Sequence, residues 1–313
     1  MSGQGRFRKG AYLALATALI SGVSVYVNAF GVRQVPDPFV FTTAKNLLVA
    51  TMLAALILLP LSLGSLRRLS GRDWAKLALL GLVGGSVPFL LFFYGLSQAT
   101  APSAAFMHKT LFLWVALLAV PFLQERLGRV QLVALLVLAV GNLVLVGRPT
   151  RWTLGQAELL TLVATLFWAV EAILARRFLQ GGFAAPVAAL GRMGFGAIAM
   201  FAFLATTGRG GTLVTLNVVQ WGWVVLTAVF LLGYVVAYYS AFKYAPATLV
   251  TSVLVLGSVL TSLLHAIFSA RTYSPAQVAG FVLVVLAAAL WVWIGHRLTG
   301  QATVMRGLAY ARR

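Results

Sequence analysis

Hydrophobic residues in this chain come in long runs rather than at one face of a helical or strand period. Ten runs reach the roughly 20 residues needed to cross the hydrocarbon of a bilayer. They cover residues 10–30, 38–60, 73–97, 101–124, 127–147, 155–177, 183–206, 216–242, 246–270 and 274–296. Backbone polar groups in lipid must be satisfied within the segment or a closed barrel, so each run predicts an α-helix. Several connections hold only a handful of residues. Neighbouring helices are then antiparallel hairpins, and no soluble domain fits between them.

Composition agrees with lipid as the solvent. Of 313 residues, 61% are hydrophobic and 9% are charged, against roughly 25% charged in a soluble domain. A net charge of +19 would suggest nucleic acid in a soluble protein. Here the basic residues lie mostly in short connections, where topology requires them, and no nucleic-acid partner is expected. The lack of cysteine removes a disulfide framework and thiolate metal sites. Arg6, Arg8 and Lys9 before an apolar run resemble a signal peptide, but the run continues past Tyr26 and further spans follow, so it reads as the first span.

Charge also sets orientation. One set of connections holds Arg33, Arg148, Arg151, Arg209 and Arg271; the other basic residues outside the spans, from Arg6 through Arg67, Arg68 and Arg176 to Arg312 and Arg313, fall on the opposite side. The positive-inside rule then predicts a multi-pass protein of the cytoplasmic membrane with both termini cytoplasmic.

The chain reads as two similar halves. Val130-Gln131-Leu132-Val133 opens the fifth span and Ala276-Gln277-Val278-Ala279 the tenth, 146 residues later. Tyr94-Gly95-Leu96-Ser97-Gln98-Ala99 and Ser240-Ala241-Phe242-Lys243-Tyr244-Ala245 match at the same spacing. Five spans per repeat is an odd number, so the second copy is expected to be inserted upside down, with a working site near the midplane between the halves. The expected organisation is a first five-helix repeat over 1–150, an inverted second repeat over 151–300, and a basic cytoplasmic tail over 301–313. The fold class is all-α integral membrane, ten transmembrane helices as two inverted five-helix repeats.

The five-helix unit, the Phe93-Tyr94-Gly95-Leu96 segment leading into a small-residue turn, and Phe122-Leu123-Gln124-Glu125-Arg126-Leu127 resemble the EamA-type branch of the drug/metabolite transporter superfamily. The resemblance covers nearly the whole chain. It implies a central cavity between the repeats, export or exchange of small metabolites, and frequently dimers. Two departures stand out. Leu111-Phe112-Leu113-Trp114 occupies a stretch where the family often has proline. In the second half, Arg271 of Ala270-Arg271-Thr272 replaces the glutamate of the motif.

Few charges lie inside the spans, and each costs roughly 2.5–3.5 kcal/mol on insertion scales. Lys45 and Arg192 occupy matching points of the two halves, 147 residues apart. Lys45 lies about seven residues into its span, roughly 10 Å deep at 1.5 Å per residue, and Arg192 lies at a comparable depth from the opposite side. Both are candidate substrate-binding residues; snorkelling to the interface is the alternative. His108 and Lys109 enter from the same side as Lys45. Lys109 has no charged counterpart, since Val255 holds its place in the second half. Glu171, the one carboxylate well inside a span, is either an ion-pair partner of Arg192 or a proton-coupling site, because burial raises a carboxyl pKa.

Polar stripes at helical spacing suggest a hydrated path: Thr17, Ser21, Ser24 and Asn28; Ser258, Ser262 and His265; Tyr234 and Tyr238. Serine and threonine also serve helix packing in lipid. Trp168, Trp114 and the tyrosines could line such a path or act as interfacial anchors. No carboxylate pair, metal-ligand spacing or phosphate-binding loop lies in the spans, so neither an enzyme, a cofactor nor a metal is expected.

The expectation is a secondary carrier that rocks its halves about a central cavity. Its substrate would be a small metabolite, anionic or zwitterionic: an amino acid, organic acid or phosphorylated metabolite. Lys45, Lys109, His108, Arg192, Trp168, Tyr234, Tyr238 and Asn28 would bind it. The alternatives are an exporter of neutral or amphipathic compounds through an aromatic-lined cavity, and a non-transporting membrane scaffold subunit.

Overall fold

The computed structural model describes residues 3–58, 66, 69–98, 107–146 and 155–311. Regular structure among them is helical throughout. Ten long helices follow one another: α1 Gly3–Gln34, α2 Pro38–Leu58, α3 Gly71–Gln98, α4 Met107–Leu123, α5 Arg129–Val146, α6 Gln156–Gln180, α7 Ala185–Thr206, α8 Val218–Tyr244, α9 Ala247–Phe268 and α10 Pro275–Ala311. A short 3₁₀ turn, Gly210–Leu213, joins α7 to α8. The repeat boundary at 150, the residues Arg67, Arg68, Arg148, Arg151, Arg312 and Arg313, and the start of the predicted fourth span lie outside the described residues.

Local sequence explains where the helices begin. Asp37 Oδ1 accepts from the backbone N–H groups of Phe39 and Val40 at the start of α2. Ser70 with Asp73 and Asn217 with Gln220 form reciprocal capping boxes on α3 and α8. The duplicated glutamine has one role in both halves: Gln131 Oε1 accepts from Gly128 N at 2.8 Å, and Gln277 Oε1 accepts from Ser274 N at 3.1 Å.

Three details depart from ten uniform helices. α3 contains a π-helical turn at Gly81–Ser86. α4 breaks at Thr110 and α9 at Val255, each bridged by an i→i+3 hydrogen bond. These breaks stand at corresponding points of the two halves, the pattern by which discontinuous membrane helices mark a binding site. α10 continues through the stretch expected to be a basic tail, as far as Ala311.

Helices associate in a pattern that is preserved when the halves are exchanged. α1 packs on α8 and α9, as α6 packs on α3 and α4; α2 crosses α7, and α5 crosses α10. Lipid offers no hydrophobic drive between helices, so small residues bring backbones into contact. A methyl group on Gly22 of α1 would lie 2.8 Å from Gly257 O of α9, and one on Gly196 of α7 would lie 2.5 Å from Gly85 C of α3. Gly85→Ala would drive its Cβ into the carbonyl oxygen of Arg192. We expect that substitution to lower stability by about 1–3 kcal/mol, read as thermal unfolding of the detergent-solubilised protein. Gly222→Ala, with nothing within 4 Å of its Cβ, should unfold at the parent temperature.

Candidate functional site: a basic, aromatic cavity between the halves

A cavity of about 260 Å³ lies between the helices. Its mouth is formed by Ala29, Leu96 and Leu145, near the C-terminal ends of α1, α3 and α5, with Arg271 and Tyr273 just before α10. It therefore opens on the face opposite the chain termini. Its floor is formed by Glu171, Arg192, Tyr234 and Tyr238. The predicted residues Lys45, Lys109, His108, Arg192, Trp168, Tyr234, Tyr238, Asn28 and Glu171 all line it. Ser21, Ser24, Ser258, Ser262 and His265 line it too, whereas Thr17 is buried and bonds its own helix at Leu13 O. Trp114 is not among the lining residues and donates to Thr110 Oγ1 within α4.

The four lining cations differ in what holds them. Lys45, 2% exposed, donates to Asn28 Oδ1 at 2.9 Å and lies over the rings of Phe93 at 4.4 Å and Phe41 at 5.0 Å. The sequence suggested no partner for it. The structure supplies a neutral amide and two aromatic faces, but no carboxylate. Lys109, 8% exposed, has neither a hydrogen bond nor an ion pair among the described residues.

Arg192 is held differently. Its Nε donates to Gly84 O at 3.2 Å and lies 3.9 Å from Glu171 Oε1. Tyr239 Oη donates to the same Glu171 oxygen. Gly84 O also accepts from Trp168 Nε1 at 3.1 Å. That carbonyl lacks its α-helical donor because the residue four positions on is Pro88, which has no N–H. Even so, Glu171 Oε2 and Arg192 Nη1 lack partners.

Aromatic rings form one wall. His108 lies 4.9 Å from Trp168 and 5.1 Å from Phe92, centroid to centroid, and Phe89 meets Trp168 edge-on at 5.4 Å. Tyr234 and Tyr238 stack at 5.2 Å. His108 Nδ1 and Asn142 Oδ1 are buried without a partner.

Across the termini-side face the halves are locked together. Glu125, between α4 and α5, accepts from Ala247 N at 2.7 Å, Thr248 N at 3.2 Å and Thr248 Oγ1 at 2.7 Å, capping α9 of the other half. Within the second half, Arg176 of α6 donates to Phe242 O of α8 on the same face. On the opposite face Arg209 pairs with Asp37 at 2.9 Å.

Reading the sequence missed Tyr239, Asn142, Gly84 and the reach of Glu125. For Asn142 the signal was available: a lone amide in an apolar span is costly to bury without a partner. For Gly84 the signal was Pro88, four residues on, whose missing N–H leaves that carbonyl without a helical donor.

Known proteins give the arrangement its family. The EamA-like transporter family model matches residues 8–147 and again 155–293. An uncharacterized transporter of Clostridium kluyveri is 23% identical over 303 residues, covering 90% of this chain and 92% of that protein. A solved crystal structure superposes with a TM-score of 0.69 at 18% identity, over 91% of this chain and 98% of its own, a likeness of fold alone. With the family model matched twice along the chain and the helices paired across the two matches, this membrane protein belongs to the EamA-like transporter family.

Proposed function

We propose that the protein is a secondary carrier that moves a small organic anion, bearing a carboxylate or phosphate, across the cytoplasmic membrane. One observation carries this reading. Lys45 and Lys109 are buried in the cavity without a carboxylate partner, while Glu171, the one acidic side chain among the lining residues, is engaged by Arg192 and Tyr239. A cation in a low-dielectric cavity attracts an anionic group. Amino acids, organic acids and phosphorylated metabolites all present one.

The two halves, related by inversion in the membrane, would rock about the cavity and expose it to each side in turn. The basic residues clustered on the termini side support cytoplasmic termini. The cavity then faces outward, the state in which an exporter releases or an exchanger receives its substrate. A second reading is supported by the Phe89, Phe92, His108 and Trp168 wall: transport of neutral or amphipathic compounds, with the cations structural.

Flux of an anion panel into proteoliposomes tests the choice. Lys45→Ala and Lys109→Ala should each reduce anion flux about tenfold or more, the value of a charge-assisted hydrogen bond. If both leave anion flux intact while Trp168→Ala and Tyr238→Ala abolish transport, the neutral-compound reading replaces this one. Absence of saturable flux for every compound would point to a scaffold.

A further inference from the structure

The two halves end their fourth and ninth helices with one backbone motif and opposite charges. Gln124 closes α4 with φ 55° and Ala270 closes α9 with φ 49°; they are the left-handed non-glycine residues among those described. The next amide in each case reaches back six residues: Glu125 N donates to Ala119 O at 3.2 Å, and Arg271 N donates to His265 O at 3.2 Å. Each bond spans one residue more than the longer bond of a Schellman motif, and it follows a left-handed residue in both halves. Glu125 and Arg271, 146 residues apart, are thus set by equivalent geometry at opposite faces.

Their side chains do different things. Glu125 accepts three hydrogen bonds from the start of α9 and helps close its face. A guanidinium has donors only and cannot accept from a helix N-terminus. Arg271 is exposed at the cavity mouth, with no hydrogen bond or ion pair of its side chain among the described residues, and lies 5.4 Å from the Tyr273 ring centroid. Below it, in the same cavity, lie Lys109 and Lys45.

We propose that Arg271 is a capture site for an oxyanion, carboxylate or phosphate, at the open mouth of the carrier, in the position where the other half carries a closing carboxylate. The proposal rests on the anion reading of the cavity. Arg271 presents an uncommitted fork of donors suited to planar or tetrahedral oxyanions. It raises the local concentration of anions that then descend to Lys109 and Lys45.

The chain has no cysteine, so Ser262→Cys in the cavity wall supplies a single reactive thiol. Its modification rates by an anionic methanethiosulfonate (ethylsulfonate) and a cationic one (ethyltrimethylammonium) give a charge-selectivity ratio, normalised to a free thiol in solution. We expect the parent to favour the anionic reagent. Arg271→Gln should lower the ratio about threefold or more, Arg271→Glu should invert it, and Arg271→Lys should retain it. In flux, Arg271→Gln should raise the half-saturating anion concentration from that side and leave the maximal rate unchanged.

A ratio unmoved by both Gln and Glu overturns the proposal, whatever the flux. A ratio that shifts as expected, in a protein that carries no anion, upholds anion capture at Arg271 and sinks the substrate reading instead.

Discussion

Glu171→Leu is expected to lower the stability of the detergent-solubilised protein by about 3–5 kcal/mol, seen as a fall in its unfolding temperature. The carboxylate is 1% exposed and lies 3.9 Å from Arg192 Nε, itself on a buried side chain. Removing it leaves a guanidinium in a low-dielectric site with Gly84 O as its remaining hydrogen-bond acceptor among the described residues. It also strips Tyr239 Oη of its acceptor. Replacing both charges, Glu171→Leu with Arg192→Met, should recover much of the loss, because the desolvation of both ions is then avoided. Stability equal to the parent in the single variant would show that the pair does no structural work. Glu171→Gln separates the two roles open to this residue. It retains an acceptor for Tyr239, so a variant that stays folded but loses proton-dependent flux assigns Glu171 to coupling rather than to the ion pair.

The second large effect is expected at Glu125. Its carboxylate accepts from two backbone amides and one hydroxyl at the start of α9. Charge-assisted bonds of this kind contribute about 1.5–3 kcal/mol, and a carboxylate at a helix N-terminus gains further from the dipole. Because the contact joins the two halves, Glu125→Ala weakens the closed termini-side face relative to its open form. A shift of that size changes the ratio of the two forms by about 10–150-fold. With Ser258→Cys as the single thiol in the cavity, labelling by a membrane-impermeant maleimide from the termini side should rise at least about tenfold. Glu125→Gln, keeping one acceptor oxygen, should fall between. If Glu125→Ala labels like the parent from both sides, the contact is a helix cap and does not hold the gate.

Much of this carrier is legible along the chain because lipid simplifies the problem. A run of about 20 apolar residues has essentially one way to satisfy its backbone, so hydropathy predicts the ten helices and their order. α10 runs past the apolar run to Ala311, because a helix needs no apolar residues outside the bilayer. Charges within spans were equally visible, since their insertion penalty makes them rare. Lys45, Lys109, Arg192 and Glu171 line one cavity, together with the residues picked from polar stripes and aromatic character.

Partners were harder to read, because they come from helices far apart in sequence. Trp114 illustrates this: its aromatic character suggested a lining role, but Thr110 one turn away takes its indole N–H. Lys45 finds Asn28 on α1, and Arg192 finds Gly84 on α3. Each meeting depends on close backbone approaches such as Gly22 with Gly257 and Gly85 with Gly196. Such contacts require side-chain absence at two remote positions at once, and no local pattern reports that.

The sequence by itself determined the ten helices, their likeness in two halves, and the basic character of the residues buried among them, because membrane insertion penalises any other arrangement segment by segment. Only the tertiary structure decided which charges were neutralised and which were not. Arg192 is tied to Glu171 and to a carbonyl left without a donor by Pro88, Glu125 is spent on α9, and Lys45, Lys109 and Arg271 lack a carboxylate among the described residues. Electrostatic pairing acts over a few ångströms across helix interfaces, so it is fixed by packing and not by order along the chain.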